Sequence, residues 1–371
     1  MNKYQKITEE ILGFADVKIN GNNPWDIQVH NDDFYKRVIT DGSLGLGESY
    51  MLGWWDAEKL DEMISMILRA KLDEKIKQKF SILLKLSTAK LVNLQSKRRA
   101  FIIGKRHYDL GNNLFKNMLD KRMNYSSAYW KDAQSLDEAQ ENKLELICQK
   151  LGLKTGMRVL DIGCGWGAFG KYAAEKYGVE VVGVTVSKEQ VEMGRKLCKG
   201  LPVEFQLIDY RDIKGEFDRI VSVGMIEHVG YKNYKTFFEV AGRVLKDDGL
   251  FLLHTIGNNE STHSINQWTH KYIFPNSMLP SVAQLGKAIE KLFVMEDWHN
   301  FGVYYDKTLM VWFDNFKANW GKIKDKYPDP FYRMWKYYLL SCAGSFRARE
   351  IQLWQIVLSK NGRLSGYHSI R

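Results

Sequence analysis

Residues 159–167, VLDIGCGWG, constrain what this chain can fold into more than any other segment. An apolar run ending in Asp161, followed by Gly163, Gly165 and Gly167, reads as a strand, a tight turn and a helix start. Glycine removes the Cβ atoms that would hold backbone amides away from a ligand, and the helix N-terminus adds partial positive charge. Further strands are expected at Val159–Asp161, Val181–Val186, Val203–Leu207, Asp218–Val223, Leu250–Thr255 and Ile351–Leu358. Between them a helix with Phe169, Tyr172, Ala173 and Tyr177 stops at Gly178, and Ser187-Lys188-Glu189-Gln190 reads as a reciprocal capping box. Such alternation predicts an α/β fold with a parallel, doubly wound, Rossmann-like sheet from about Met157 onward.

A GxGxG turn alone also fits nicotinamide and flavin folds. Two details point to S-adenosylmethionine instead. The GxGxxG position after Gly163 and Gly165 holds no third glycine, and Asp161 sits directly before the loop, where a carboxylate suits the ammonium of an amino-acid moiety. A nicotinamide site has an Asp or Glu about 20 residues on for the ribose hydroxyls. Here the next strand ends in Thr185, and no carboxylate follows until Glu189. Asp209 and Tyr210, after the third strand, offer an adenine hydrogen bond and a stacking ring.

The rest of the 371 residues divides by texture. Residues 1–88 read as a small, mainly helical domain, in which Leu60, Met63, Ile64, Ile67 and Leu68 form one helix face. A basic amphipathic stretch through Ile76, Phe80, Leu83 and Leu84 leads to a linker at 89–104 containing Lys97-Arg98-Arg99. Residues 105–371 form the expected catalytic domain, with an aromatic-rich insertion around 258–302 as a substrate cover. The four cysteines make no CxxC pair, which argues against a zinc site or disulfide framework and suits a reducing cytoplasm. No metal site is expected.

The N-terminus is charged where a signal peptide needs its apolar stretch, and no apolar run approaches the roughly 18–20 residues of a spanning helix. A soluble or peripheral protein is therefore expected. The net charge of +10 points to a polyanionic partner, nucleic acid or an anionic bilayer. No aromatic-basic module supports nucleic acid.

The chain resembles the bacterial cyclopropane-fatty-acid synthases, and more distantly the mycolic-acid cyclopropane synthases. The resemblance runs through SLGLGESYMLGWW (43–55), HYDLGNNLF (107–115), MNYSSAYW (123–130), MRVLDIGCGWG (157–167), FDRIVSVGMIEHVG (217–230), FLLHTIG (251–257), KYIFPN (271–276), VMEDWHNFG (294–302) and CAGSFRAREIQLWQ (342–355). It implies a class I methyltransferase fold with a helical N-terminal domain. It also implies a homodimer that is cytoplasmic, peripheral at the inner membrane surface and active on acyl chains of a phospholipid bilayer. By the same resemblance Tyr125 and Ser126 approach the cofactor from the lid side, and Gly163, Cys164 and Gly165 carry the loop. Thr185 and Gln190 lie by the ribose and methionine portion, Asp209 and Tyr210 by the adenine.

Methyl transfer from a sulfonium to an alkene makes a carbocation, and ring closure needs a base for a proton of the new methyl. The resemblance implies bound bicarbonate as that base, in a pocket of Glu227, His254, the Ile256 backbone, Tyr305 and Ser127. Bicarbonate has one O–H for a carboxylate to accept and oxygens for His, Tyr and N–H donors. Ser127 stands where the family usually has cysteine; a hydroxyl can still donate there. The resemblance also marks Cys342, although the chemistry needs no thiolate and a small packing residue on a helix reads equally well. The rival readings are a small-molecule N-methyltransferase, a fatty-acid methyltransferase, and a lipid-binding module with a vestigial nucleotide fold.

Overall fold

A computed structural model describes residues 3–72, 111–262 and 266–371. The stretch through Ile76 and Leu84, the linker at 89–104 and residues 107–110 of HYDLGNNLF lie outside the described residues. The chain forms two compact units. One takes Met1–Leu91, Ser264–Pro275 and Tyr305–Ile351; the other takes Val92–His263, Asn276–Tyr304 and Gln352–Arg371. The sequence reading divided the chain along its length, whereas two later segments pack with the N-terminal one.

In chain order the elements are α1 (Lys3–Gly13), β1 (Gln28–Val29), α2 (Asp33–Met51), β2 (Trp55–Asp56), α3 (Leu60–Arg69), α4 (Asn112–Met118), α5 (Leu136–Leu151) and β3 (Arg158–Ile162). Then come α6 (Ala168–Tyr177), β4 (Glu180–Thr185), α7 (Lys188–Leu197), β5 (Val203–Leu207), β6 (Phe217–Val223), α8 (Tyr234–Val244) and β7 (Leu245–Asn258). The last are α9 (Gln267–Tyr272), α10 (Val282–Ile289), β8 (Val294–Asn300), α11 (Val303–Ile323), α12 (Pro330–Arg347) and β9 (Ile351–Ser359).

The helical unit is organised around Trp55, whose indole Nε1 donates to Leu46 O and Ser49 Oγ, both at 3.1 Å. Arg333 of α12 donates to Tyr50 O (2.6 Å), Trp55 O (2.9 Å) and Asp56 Oδ1 (2.9 Å), with its guanidinium 4.1 Å from the Tyr50 ring centre. Glu48 of α2 accepts from Lys271 Nζ (2.6 Å), Tyr272 OH (2.8 Å) and Arg37. Burial opposes its ionisation, yet those three donors hold its carboxyl below the ordinary value. Arg347 bridges Asp61 (2.5 Å) and both oxygens of Asp306 (2.9 Å each). α12 lies so close to α3 that a Cβ on Gly344 would stand 2.4 Å from Asp61 O, so only glycine fits there.

The other unit is a seven-stranded sheet in the order β5-β4-β3-β6-β7-β9-β8. β3 pairs in parallel with β4 and β6, and β4–β5 and β6–β7 are also parallel. Period-2 alternation builds both faces. Leu160, Ile162, Val182, Val184, Phe251 and Leu253 pack under α8 and α10, while Val159, Val181, Leu250 and Leu252 pack under α5 and α6. The doubly wound expectation is met, with one difference: β8 runs antiparallel to β9 at the sheet edge. β8 and α10 both fall inside the stretch expected to be an insertion, so that stretch carries part of the core. The Ser187 box is only half formed. The Ser187 side chain accepts from Gln190 N at 3.3 Å, but the Gln190 side chain turns to Thr185. A complete box instead caps α10, between Ser281 and Gln284.

Candidate functional site

Strand order reverses at β3, the place where open α/β sheets receive ligands beyond their strand ends. Gly163 and Gly165 have φ of 85° and 54°, in the left-handed region. A Cβ on Gly163 would strike Met225 at 2.6 Å, whereas one on Gly165 would meet nothing within 4 Å. The second glycine thus faces open space, leaving backbone there for a ligand to approach. The Gly163 and Cys164 amides donate to Val184 O (3.0 and 3.1 Å), which fixes the turn to β4. The Cys164 thiol packs with Val191, Cys198 and Phe205, and burial pushes it well above the ordinary thiol range. Trp166 donates to Asn112 Oδ1 (3.0 Å) and packs on Phe115, which meets Tyr125 edge-on at 4.9 Å. The loop therefore holds α4 and brings Tyr125 beside it.

Behind the loop lies a buried polar cluster. Asp161 is 2% exposed and accepts no hydrogen bond from the described residues; burial lifts its pKa to about 7 against the charge of Lys143. Lys143 of α5 is itself 1% exposed and donates to Asn124 Oδ1 (2.8 Å) and Ser126 Oγ (3.0 Å). Asp120 accepts from Asn124 N (2.7 Å) and Nδ2 (2.9 Å), and Gln140 Nε2 donates to Ser126 O (2.9 Å). Ser126 and Asp161 were expected at the site. Lys143 and Gln140 were not.

At the end of β4 the Thr185 hydroxyl donates to Gln190 Oε1 (2.7 Å) and accepts from Ser187 N (3.2 Å), so these two expected residues stand together. Asp209 is buried and caps the turn after β5, accepting from Arg211 N (3.0 Å) and Nη1 (3.2 Å). The Tyr210 ring lies in the core against Phe237 (5.5 Å), with Arg211 4.8 Å from its centre. It is a packed ring with a cation over one face, where the sequence suggested a stacking platform for adenine.

Two further buried polar side chains, Glu227 and His254, follow β6 and lie on β7, respectively. Glu227 Oε1 accepts from Ile256 N at 2.8 Å, and Oε2 is buried without a partner. Burial raises this carboxyl to about 7, opposed by hydrogen bonding from the Ile256 and Glu227 amides and from the Thr255 side chain. His254, two residues before Ile256 on the same strand face, accepts at Nδ1 from Gln355 Nε2 (3.3 Å). An amide N–H only donates, so the neutral imidazole carries its proton on Nε2, and that atom too is buried without a partner. Burial, then the nearby Lys143 charge, push the His254 pKa well down, which keeps the ring neutral. The Ile256 amide thus fixes Glu227; the resemblance had implied that it meets the anion directly. Ser127 is fully buried and its hydroxyl donates to Ala128 O (3.1 Å).

The other two expected residues belong to the helical unit. Tyr305 of α11 is buried, stacked on Phe346 at 4.6 Å and edge-on to Trp312 at 5.9 Å. Cys342 of α12 is half-buried, and desolvation pushes its thiol up to about 12, so it is protonated at neutral pH. Gln355 was quoted in the sequence motif without a role; a polar residue amid the apolar alternation of β9 was the available signal. Among the described residues no helix is long and apolar enough to cross a membrane.

A sheet of this order, opened by a GxGxG turn at its reversal, defines a class I S-adenosylmethionine-dependent methyltransferase, and this chain is an enzyme of that class. Residues 95–356 match the family model described as mycolic acid cyclopropane synthetase, and the chain belongs to that family. It is 56% identical over 359 residues to the cyclopropane-fatty-acyl-phospholipid synthase of Escherichia coli K12, covering 97% of this chain and 94% of that protein. A probable fatty acid methyltransferase of Pseudomonas putida is 35% identical over 277 residues, 71% of this chain and 70% of that one. The crystal structure of a mycolic acid cyclopropane synthase complexed with SAH and CTAB superposes with TM-score 0.66 at 34% identity, covering 70% of this chain and 98% of that one.

Proposed function

We propose that this enzyme adds a methylene across the cis double bond of unsaturated phospholipid acyl chains and closes a cyclopropane ring, with bicarbonate as the base. The observation that carries the reading is the pair of unpartnered polar atoms, Glu227 Oε2 and His254 Nε2, at the strand ends of the methyltransferase sheet. A buried polar atom without a partner costs about 1–3 kcal/mol, so two together mark a place for a small polar group. An acceptor and a donor are the complement of an anion that carries one O–H. An N-methyltransferase would need no such pair.

When bound, S-adenosylmethionine supplies an electrophilic methyl group and bicarbonate a basic oxygen. Methyl transfer forms a carbon–carbon bond and leaves a cation on the acyl chain; ring closure then breaks one C–H bond of the new methyl. Asp161 takes the cofactor's ammonium, and the open face at Gly165 lets backbone approach it. Thr185 and Gln190 line the ribose and methionine portion, Asp209 and Tyr210 the adenine end, and Tyr125 and Ser126 the lid side. Glu227, held by the Ile256 amide, accepts the anion's O–H at Oε2, and the neutral His254 donates to its oxygens. With a pKa of about 7, the Glu227 carboxyl can also hold the departing proton and release it. The resemblance adds the Tyr305 hydroxyl as a further donor, and Ser127 would serve as another by turning its O–H away from Ala128 O. Aromatic and apolar burial keeps out water, which would trap the cation as an alcohol.

The net charge of +10 supports docking on anionic headgroups, each nearby Lys or Arg contributing about 1 kcal/mol. The same reading places the enzyme in the cytoplasm, peripheral at the inner membrane surface, as a homodimer with its N-terminal domain in the lipid-facing role.

The test mixes protein, S-adenosylmethionine, bicarbonate and vesicles of monounsaturated phospholipid, and analyses fatty-acid methyl esters by mass spectrometry. A product one CH2 heavier that resists hydrogenation is expected, with its rate falling in bicarbonate-depleted buffer. A methyl-branched product would move the enzyme to the fatty-acid methyltransferases. Vesicle binding that did not weaken as salt rises would remove the electrostatic part of the docking.

A further inference from the structure

α5 buries one face through Leu136, Gln140, Lys143, Ile147 and Leu151, and of its two buried lysines Lys150 stands 3.8 Å from Asp297 while Lys143 has no such partner among the described residues. An ammonium taken out of water costs several kcal/mol unless its surroundings compensate it. Its two hydrogen-bond partners, Asn124 Oδ1 and Ser126 Oγ, are both neutral. Among the described residues no carboxylate lies within ion-pair distance of it, and the charges it feels are those of Asp120 and Asp161. Asp120 is already satisfied by Asn124 and by Arg122 N at 2.9 Å. Asp161 accepts no hydrogen bond from the described residues.

Unused valences complete the picture. An ammonium has three N–H donors, and two of Lys143's are engaged. The Ser126 oxygen accepts from Lys143, while its own O–H has no acceptor among the described residues. The cluster therefore offers two unengaged donors around a cation, the unpartnered acceptor Gln140 Oε1, and one unengaged carboxylate on the adjoining strand end. An amino-acid zwitterion is their complement.

We propose that Lys143, together with the Ser126 hydroxyl, binds the carboxylate of the cofactor's amino-acid moiety, while Asp161 takes its ammonium. The inference rests on the assignment of the cofactor site to the end of β3. It accounts for a buried cation and a buried anion left apart in the protein alone: each is completed by the opposite end of one ligand. Burial draws the two groups toward neutrality, Asp161 up to about 7 and Lys143 down to about 8, and an arriving zwitterion restores both charges.

Isothermal titration calorimetry on the full chain tests this, with S-adenosylhomocysteine and with its decarboxylated analogue, which keeps the ammonium and loses the carboxylate. The wild type is expected to prefer S-adenosylhomocysteine by about 10- to 100-fold, the worth of a charge-assisted hydrogen bond. Lys143→Met is expected to lose most of that preference and to bind the analogue as the wild type does. Wild-type affinities within about threefold of each other would overturn the proposal. So would a Met variant that weakens both ligands equally, the mark of a merely structural lysine. A variant that keeps the preference but no longer responds to bicarbonate would also overturn it, by moving the lysine to the other anion. Should Lys143→Met not fold, the wild-type comparison stands, and Ser126→Ala must narrow the preference. Absence of any S-adenosylhomocysteine binding by the wild type would instead bring down the cofactor site, and this inference with it.

Discussion

The helical unit and the strand ends of the α/β sheet treat buried charge in opposite ways. In the helical unit Glu48 has three donors, Arg333 two backbone carbonyls, a carboxylate and a ring, and Arg347 two carboxylates. In the α/β unit Asp161, Glu227 Oε2, His254 Nε2 and one donor of Lys143 are left open. Closed networks hold a packing arrangement in place, because removing one member strands the others. Open ones cost stability and persist where a ligand completes them. The contrast separates charge that serves the fold from charge that serves the chemistry, without reference to any motif.

The largest effect that would break this contrast is on the open side. Glu227→Gln keeps the volume and the acceptor for Ile256, and is expected to lower product formation by about 10²- to 10⁴-fold. S-adenosylhomocysteine affinity should stay within about threefold; a parallel loss would mean that the pocket merely supports the cofactor fold.

On the closed side, Glu48→Ala strands Lys271, Tyr272 and Arg37. It is expected to destabilise the protein by about 1–2 kcal/mol in urea unfolding, since the Lys271 and Arg37 charges can rehydrate, with activity per folded molecule unchanged.

The pH dependence of stability sharpens the comparison next. The Glu227 carboxyl has an ordinary value of 4.5 and is raised to about 7 by burial, so the folded protein holds that proton more tightly than the unfolded chain. This group therefore makes no demand below about pH 4.5, subtracts stability as pH rises to about 7, and subtracts a constant amount above. The difference between Glu227→Gln and the wild type should grow by on the order of 3 kcal/mol across that window. A flat difference in urea unfolding would show that the group is already compensated.

Two smaller tests concern helical-unit residues to which the resemblance gives chemistry. Tyr305→Phe is expected to reduce turnover about tenfold with little change in melting temperature. Cys342→Ala should change turnover by less than about twofold, since a thiol raised to about 12 is no nucleophile near neutrality.

Six of the seven sheet strands were legible because short, nearly continuous buried runs such as VLDI and EVVGVT leave few alternatives. β8 was not. Its sequence VMEDWHN has polar residues on both faces, as an edge strand does, and lacks such an apolar run. Glu227, His254 and the glycine loop were found through the resemblance and the strand–turn–helix pattern. Lys143 and Gln355 were missed because sequence reading treats Lys and Gln as solvated by default. Lys143 and Lys150 nevertheless stand seven apart, on the buried stripe of α5. The contacts of Tyr210 with Phe237 and Arg211 were likewise not legible from its place after a strand end, because they come from packing.

The unpartnered Asp161 has a consequence for the lifetime of the protein in a cell. A ligand that binds only the native chain lowers the unfolded fraction by mass action, about 2.7 kcal/mol when it is present at a hundred times its dissociation constant. On the proposed site the ligand would also compensate the desolvated carboxylate of Asp161. Starvation for the methyl donor would then leave more chains open to proteases, and the supply of one metabolite would set both how fast the enzyme works and how much of it survives.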